Sequence, residues 1–93
     1  MPLGQKTRRT LTVATTDLGF AKEIADVIDA GSGTLSAGAA RLLSIVLADP
    51  FAAASAVTAI NAGTALNQGT LNRLIVGLAD ADAANDIQAI LSA

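Results

Sequence analysis

One pattern of about 31 residues is written three times in this chain of 93 residues, and this repetition limits the fold more than any other feature. A shift of 31 positions aligns Leu35 to Ala62 with Leu66 to Ala93 without a gap, and a shift of 32 aligns Leu3 to Gly31 with the second copy. A period of this length is typical of stacked helical repeats. The chain is therefore predicted to form one domain, residues 1–93, of three units at about 3–34, 35–65 and 66–93.

Each unit has the apolar spacing of two short helices. In the third unit, Leu71, Leu74 and Leu78 are spaced i, i+3 and i+7, and a second apolar run follows Asp80. We therefore predict an all-α fold of six short helices in three antiparallel hairpins. The spacing is compatible with a small solenoid and with a compact bundle. The first helix has the weakest core face, because Arg8 and Thr15 stand where the other units have apolar residues.

Polar residues mark the predicted helix ends. An Asp precedes the second helix of each unit, where its carboxylate can accept hydrogen bonds from free backbone N–H groups. Ser36 and Asn67 take the same place before the first helices of units two and three, each after a Leu that can serve as a hydrophobic staple. The predicted N-cap residues are Asp17, Ser36, Asp49, Asn67 and Asp80.

The composition argues against catalysis and against metal binding. The chain has no Cys and no His, so it lacks thiolate ligands, the commonest metal ligand and the usual general base. Asp80, Asp82 and Asp86 cluster near the end of the chain, but they lack the spacing and the glycine of a calcium loop. We expect no enzymatic activity, no catalytic or metal site and no cofactor.

The charge pattern argues against nucleic acid and membrane as partners. The formal net charge is −2, and the basic residues Lys6, Arg8 and Arg9 have no aromatic residues beside them on which bases could stack. The stretch from Leu42 to Ile60 is nearly uncharged, but Asp49 and Pro50 lie at its centre, where an Asp is costly in a bilayer. The N-terminal residues also lack the apolar segment of a secretory signal.

The first helices of units two and three carry more apolar residues than one core-facing stripe requires. A helix that is apolar on most sides is buried on more than one of them. We expect this surplus to contact another protein chain, either a sister subunit in a homo-oligomer or a larger assembly. The candidate interface residues are Leu42, Ile45, Val46, Ile75 and Val76. The basic first helix and the acidic last helix also allow head-to-tail association of copies.

The repeat resembles the short helical repeats in small structural proteins of tailed bacteriophages, most clearly in "AKEIADVIDAGSG" and "LADADAANDIQAIL". The resemblance covers the whole chain and consists of Ala, Leu and Asp at helical spacing. It implies a noncatalytic virion protein of the head-decorating, cement, connector or fibre-associated type, present in many symmetric copies. The capsid or another virion protein would then be its partner.

A second interpretation fits the same pattern. A cytoplasmic helical adaptor would bind a protein or peptide in a groove between hairpins. It would be a monodisperse monomer with an exposed concave patch, whereas a virion protein would occur in fixed stoichiometry with a capsid protein.

Overall fold

The computed structural model describes residues 2–93 and confirms the all-α prediction. It contains six helices and no strand within that range. They are α1 (Gln5–Thr15), α2 (Leu18–Ala30), α3 (Ala37–Leu47), α4 (Pro50–Ala62), α5 (Gln68–Leu78) and α6 (Ala81–Leu91). Helices α1 and α2, α3 and α4, and α5 and α6 pair as hairpins that correspond to the three sequence units. We call α1, α3 and α5 the first helices and α2, α4 and α6 the second helices.

The predicted N-cap side chains lie at the starts of five helices and accept backbone hydrogen bonds there. Ser36 accepts from the N–H of Ala39, and Asn67 accepts from the N–H of Thr70. The three Asp residues do the same for the second helices, with Asp49 accepting from two N–H groups. Pro50 follows Asp49 at the first helical position, where the missing N–H of proline is not needed. Helix α1 begins at Gln5, and its N-cap residue, Gly4, provides no side-chain cap.

Each hairpin turn contains a residue in the left-handed conformation that is not glycine. Thr16, Ala48 and Ala79 end the first helices with φ values of 54°, 55° and 54°. These residues are equivalent, meaning that the shifts of 32 and 31 positions align them. A Cβ makes this conformation unfavourable by roughly 1–2 kcal/mol relative to glycine. The same turn geometry therefore recurs in all three units, and each turn contains one strained residue.

Replacing Ala48 by Gly should stabilise the protein by about 0.5–1 kcal/mol, because relief of left-handed strain exceeds the entropy that glycine adds to the unfolded chain. Urea unfolding followed by circular dichroism measures this change. The control Ala54→Gly, at an exposed position within α4, should destabilise by about 1 kcal/mol. Changes of the same sign in both variants would contradict the assigned turn geometry.

The three hairpins form a closed ring and not an open array. The first helices all contact one another, and α2 contacts both α4 and α6. Each second helix also packs on the first helix of the next unit, and α6 packs on α1 in the same way that α2 packs on α3. These contacts repeat around a pseudo-three-fold axis, except that α4 and α6 are not closely packed together, and the six helices form a compact bundle instead of an open solenoid. The Cα radius of gyration of 11.1 Å fits this arrangement.

Equivalent polar residues join each unit to the next. Glu23 of α2 accepts hydrogen bonds from the N–H and the hydroxyl of Ser36. Ser55 of α4 accepts one from the side-chain amide of Asn67. Asp86 of α6 closes the ring, accepting from the N–H of Gly4 at 3.1 Å and from the hydroxyl of Thr7 at 2.7 Å.

A second set of hydrogen bonds ties the start of each unit to its own second helix. Asp29 accepts the N–H of Leu3, and Asn61 accepts the N–H of Leu35. In the third unit, Gln88 makes this contact with Leu66 from one helical turn earlier, with its amide both accepting from the N–H and donating to the carbonyl. The leucines that open the units are buried, so these bonds hold their backbone in place while the side chains enter the core.

The core is built from Leu and Ile on one face of each helix, with Ala between them. Leu11, Leu43, Ile24, Ile28 and Ile87 are the largest fully buried side chains. Burying a side chain of this kind contributes about 1.5–3 kcal/mol. Thr15 takes the place of Leu47 and Leu78 in the weaker first unit, and its buried hydroxyl donates to the carbonyl of Leu11 at 2.8 Å.

Candidate functional site

The exposed apolar residues of the first helices occupy equivalent positions. Val13, Ile45 and Val76 are 71%, 67% and 77% exposed, and the repeat alignment places them at one position of the unit. Because α1, α3 and α5 all contact one another, these side chains lie at equivalent positions on three neighbouring helices. We call this surface the first-helix face.

Three of the predicted interface residues are half-buried instead of fully exposed. Val46 and Ile75 are half-buried and pack against the core. Leu42 is also half-buried. Only Ile45 and Val76 of the predicted set are well exposed, because the first helices already use much of their apolar surplus where they meet each other and the second helices.

Val13 was not among the interface residues predicted from the sequence. The threonines around it in "TLTVATT" hide the apolar surplus that is plain in α3. The signal was nevertheless present, since the repeat alignment pairs Val13 with Ile45.

Charge is segregated between the two groups of helices. The first helices carry five of the six Lys and Arg residues and none of the eight Asp and Glu residues. All eight carboxylates lie in the second helices or in the N-cap residues that precede them. Arg9, Arg41 and Arg73 are exposed on the three first helices, so the first-helix face is both apolar and cationic.

The two charged ends of the chain lie against each other within one molecule. Asp86 of α6 contacts α1, but its partners are the N–H of Gly4 and the hydroxyl of Thr7 rather than a cation. Asp80 caps α6, and Asp82 is exposed in the first turn of that helix. A head-to-tail contact between copies therefore has to use surfaces other than Asp86.

Arg8 forms the centre of a charged cluster between α1 and α2. Its guanidinium donates to Asp29 and, at 3.1 Å, to Asp26. The hydrogen bond with Asp29 raises the pKa of Arg8 above its ordinary value, so the guanidinium stays charged. The pKa of Asp26 is lowered, first by the hydrogen bond from Lys22 and then by the one from Arg8. Part of the basic charge of α1 is therefore used in ion pairs within the first hairpin.

Asp49 combines a capping role with a link between units. Backbone N–H donation, first from Ala52 and also from Phe51, lowers the pKa of this carboxyl, and Arg73 adds to the effect. The Arg73 guanidinium belongs to α5 and lies 3.4 Å from the Asp49 carboxylate. The same carboxylate therefore starts α4 and attracts the neighbouring hairpin.

The free energy of unfolding should fall as the pH drops from about 4 towards 2. Asp26 and Asp49 have lowered pKa values in the folded state, so their stabilisation is complete above the unfolded-state pKa and is lost as the pH falls through the folded-state pKa. Urea unfolding at a series of pH values measures this. The Lys22→Gln variant, which lacks the main cause of the Asp26 shift, should lose less stability over the same interval; an unchanged slope would count against the Lys22–Asp26 pair.

Equivalent clefts run between the helices of the first and second hairpins. The first, of about 400 Å³, is lined by Arg8, Arg9, Lys22 and the exposed Leu18, among others. The second, of about 490 Å³, has mostly Ala, Ser and Thr in its lining, with Arg41 as its charged residue. In the third hairpin, the buried Leu71 and the half-buried Ile75 occupy the positions of Arg8 and Thr12. The first cleft is therefore the most cationic of the set.

Residues 2–93 contain neither a metal-binding cluster nor a membrane-spanning helix. In residues 2–93, no group of three or more carboxylates is arranged to hold a metal ion. No helix in that range combines the length and the apolar character needed to cross a membrane, and the turn at Ala48 divides the apolar stretch between Leu42 and Ile60 into two helices. Comparison with protein families, curated proteins and solved structures gave no match.

Proposed function

We propose that this chain is a noncatalytic structural protein of a phage virion that binds other protein subunits through its first-helix face. The observation that carries the binding role is the presence of three exposed apolar side chains, Val13, Ile45 and Val76, at equivalent positions on the mutually contacting first helices. Exposed apolar residues gathered on one face mark interaction surfaces. The assignment to a virion rests on the resemblance of the repeat to small phage structural proteins.

The compactness of the domain supports a structural role. Its three hairpins are closed on one another by hydrogen bonds between equivalent residues, including the contact of Asp86 with Gly4. A surface fixed by three mutually packed helices needs little reordering on binding, which reduces the entropy cost of association. Such a protein suits repeated docking at many copies of one site.

The composition and occupancy of virus particles test this proposal. In particles purified from the native source, mass spectrometry should find the chain in fixed stoichiometry with a capsid protein. The Ile45→Glu variant should be incorporated at least about tenfold less, because a charge would have to enter an apolar contact. Thr64→Glu, at an exposed linker residue, serves as the control and should be incorporated normally. Absence of the chain from particles, or normal incorporation of Ile45→Glu, would contradict the proposal.

A helical adaptor is the second candidate, and the cationic cleft of the first hairpin favours it. Arg9 and Lys22 line that cleft beside the exposed side chain of Leu18, so an acidic peptide with an apolar residue would complement it. Loss of partner capture in Arg9→Gln, with Ile45→Glu unaffected, would favour the adaptor over the virion protein.

A further inference from the structure

We infer that the occupant of the first-helix face is a second copy of this chain, which presents its second helices to that face. This inference deepens the proposed function and rests on it for the binding role of the first-helix face. The resulting contact is head-to-tail, joining two different surfaces of the same molecule. Charge complementarity between the two groups of helices carries the argument.

The first-helix face provides cations in excess of what the fold uses. Arg8 and Arg73 form ion pairs with carboxylates of the same chain. Lys6, Arg9 and Arg41 form none with any residue in the range 2–93, and all three are exposed. The three units also differ here, since Gly38 and Gly69 occupy the position of Lys6, and Asn72 occupies that of Arg9 and Arg41. The fold therefore does not require these charges.

The second helices provide the complementary surface. They and their N-cap residues hold all eight Asp and Glu side chains and only one cation, Lys22. Seven of these carboxylates also accept hydrogen bonds within the chain, and Asp82 accepts none from residues 2–93. They also carry the remaining large exposed apolar side chains, Leu18 and Phe51, of which Phe51 is 87% exposed. Leu18 lies in the cationic first cleft, so Phe51 is the exposed apolar residue that accompanies a carboxylate, that of Asp49, on the second helices. The two groups of helices as a whole still carry opposite charge.

The sign of the charge selects the mode of pairing. Two first-helix faces brought together would place Arg9 and Arg41 of one copy against the same cations of the other, and like charges at an interface are unfavourable. A first-helix face against the second helices of another copy brings cations to carboxylates and apolar residues to apolar residues. Such a heterologous contact leaves one free surface of each kind, so it can continue as a stack of copies.

A pair of matched variants tests this mode of pairing. Ile45→Glu alters the first-helix face, and Phe51→Glu alters the second helices. Both side chains are well exposed, so both variants should keep the far-ultraviolet circular dichroism spectrum of the unaltered protein. Their melting temperatures should stay within a few degrees of its value. Sedimentation velocity of the unaltered protein in about 20 mM salt should show larger species as concentration rises. The apparent association constant should fall at least about tenfold at 0.5 M salt, because salt screens exposed charges.

Mixing the variants distinguishes the head-to-tail contact from a symmetric one. Each variant alone should be monomeric, because each lacks one of the two surfaces. A mixture should form a 1:1 heterodimer, in which the intact first-helix face of Phe51→Glu binds the intact second helices of Ile45→Glu. A monomeric unaltered protein at about 100 μM in low salt, or variants that remain monomeric when mixed, would overturn the inference. Such a result would leave the particle test of the proposed function unaffected.

Discussion

Replacing Gly63 by Ala should destabilise the protein by at least about 3 kcal/mol, a large part of the total stability of a domain of this size. Gly63 ends α4 with a φ of 70°, where a Cβ is strained. A Cβ at this position would also overlap the carbonyl oxygen of Gly31, which ends α2. The overlap is with backbone, so relief requires the C-terminal ends of two helices to move apart. Urea or thermal unfolding measures the loss.

Gly31→Ala is the matched control for that substitution. Gly31 has a φ of 88°, but a Cβ there would have no neighbour within 4 Å. Its cost should be limited to backbone strain, roughly 1–2 kcal/mol. Equal losses in Gly31→Ala and Gly63→Ala would contradict the close approach of α2 and α4.

Replacing Gly77 by Ala should cost about 2–3 kcal/mol through overpacking, even though Ala is the better helix former. Gly77 lies within α5, and a Cβ on it would be 2.5 Å from the backbone oxygen of Val46 and 3.0 Å from Cγ1 of the same residue. The substitution would push α5 away from α3 and disturb the packing of the first helices around the axis. The free energy of unfolding from urea denaturation gives the size of this effect.

Gly69→Ala gives the contrasting result in the same helix. A Cβ on Gly69 would be 3.6 Å from the side-chain oxygen of Asn67, an ordinary contact. This variant should be neutral or more stable by up to about 1 kcal/mol, as expected for glycine replacement in a helix. Equal stability of Gly77→Ala and Gly69→Ala would contradict the tight packing of α3 against α5.

The number and type of helices could be predicted from the sequence because the signals for them are local. The Asp before each second helix and the glycines after α2 and α4 act on backbone groups within a few residues. Repetition then strengthened each signal, since a weak pattern such as the one around Thr15 could be checked against two other copies.

Closure of the ring could not be predicted in the same way. It depends on Asp86 reaching Thr7, residues 79 positions apart, and in the sequence Asp86 is one acidic residue among several. Gln88 illustrates the same difficulty, because it replaces Asn61 in its contact with the buried leucine from a different position in the unit.

The exposure of the candidate interface residues could be predicted only in part, for a related reason. The sequence shows that α3 and α5 carry more apolar residues than one core-facing stripe needs. Which of these residues pack against other helices and which stay exposed depends on how closely the helices approach each other. Gly77 allows the contact that half-buries Val46, leaving Ile45 and Val76 exposed. The opposite charges of the first and second helices alternate along the sequence, so the separation of charge between two groups of helices depends on the packing of the hairpins.

The contact between the first and last units tests the closed ring most directly. We expect nuclear Overhauser effects between the side chains of Thr7 and Asp86 in isotopically labelled protein, at a concentration where sedimentation shows a monomer. The Thr7 hydroxyl lies 2.7 Å from the Asp86 carboxylate in the closed ring. In an open array, the second hairpin would separate these side chains by roughly 10 Å or more, the thickness of a packed helix layer. Absence of these effects, with all other parts of the spectrum assigned, would contradict the closed three-fold bundle.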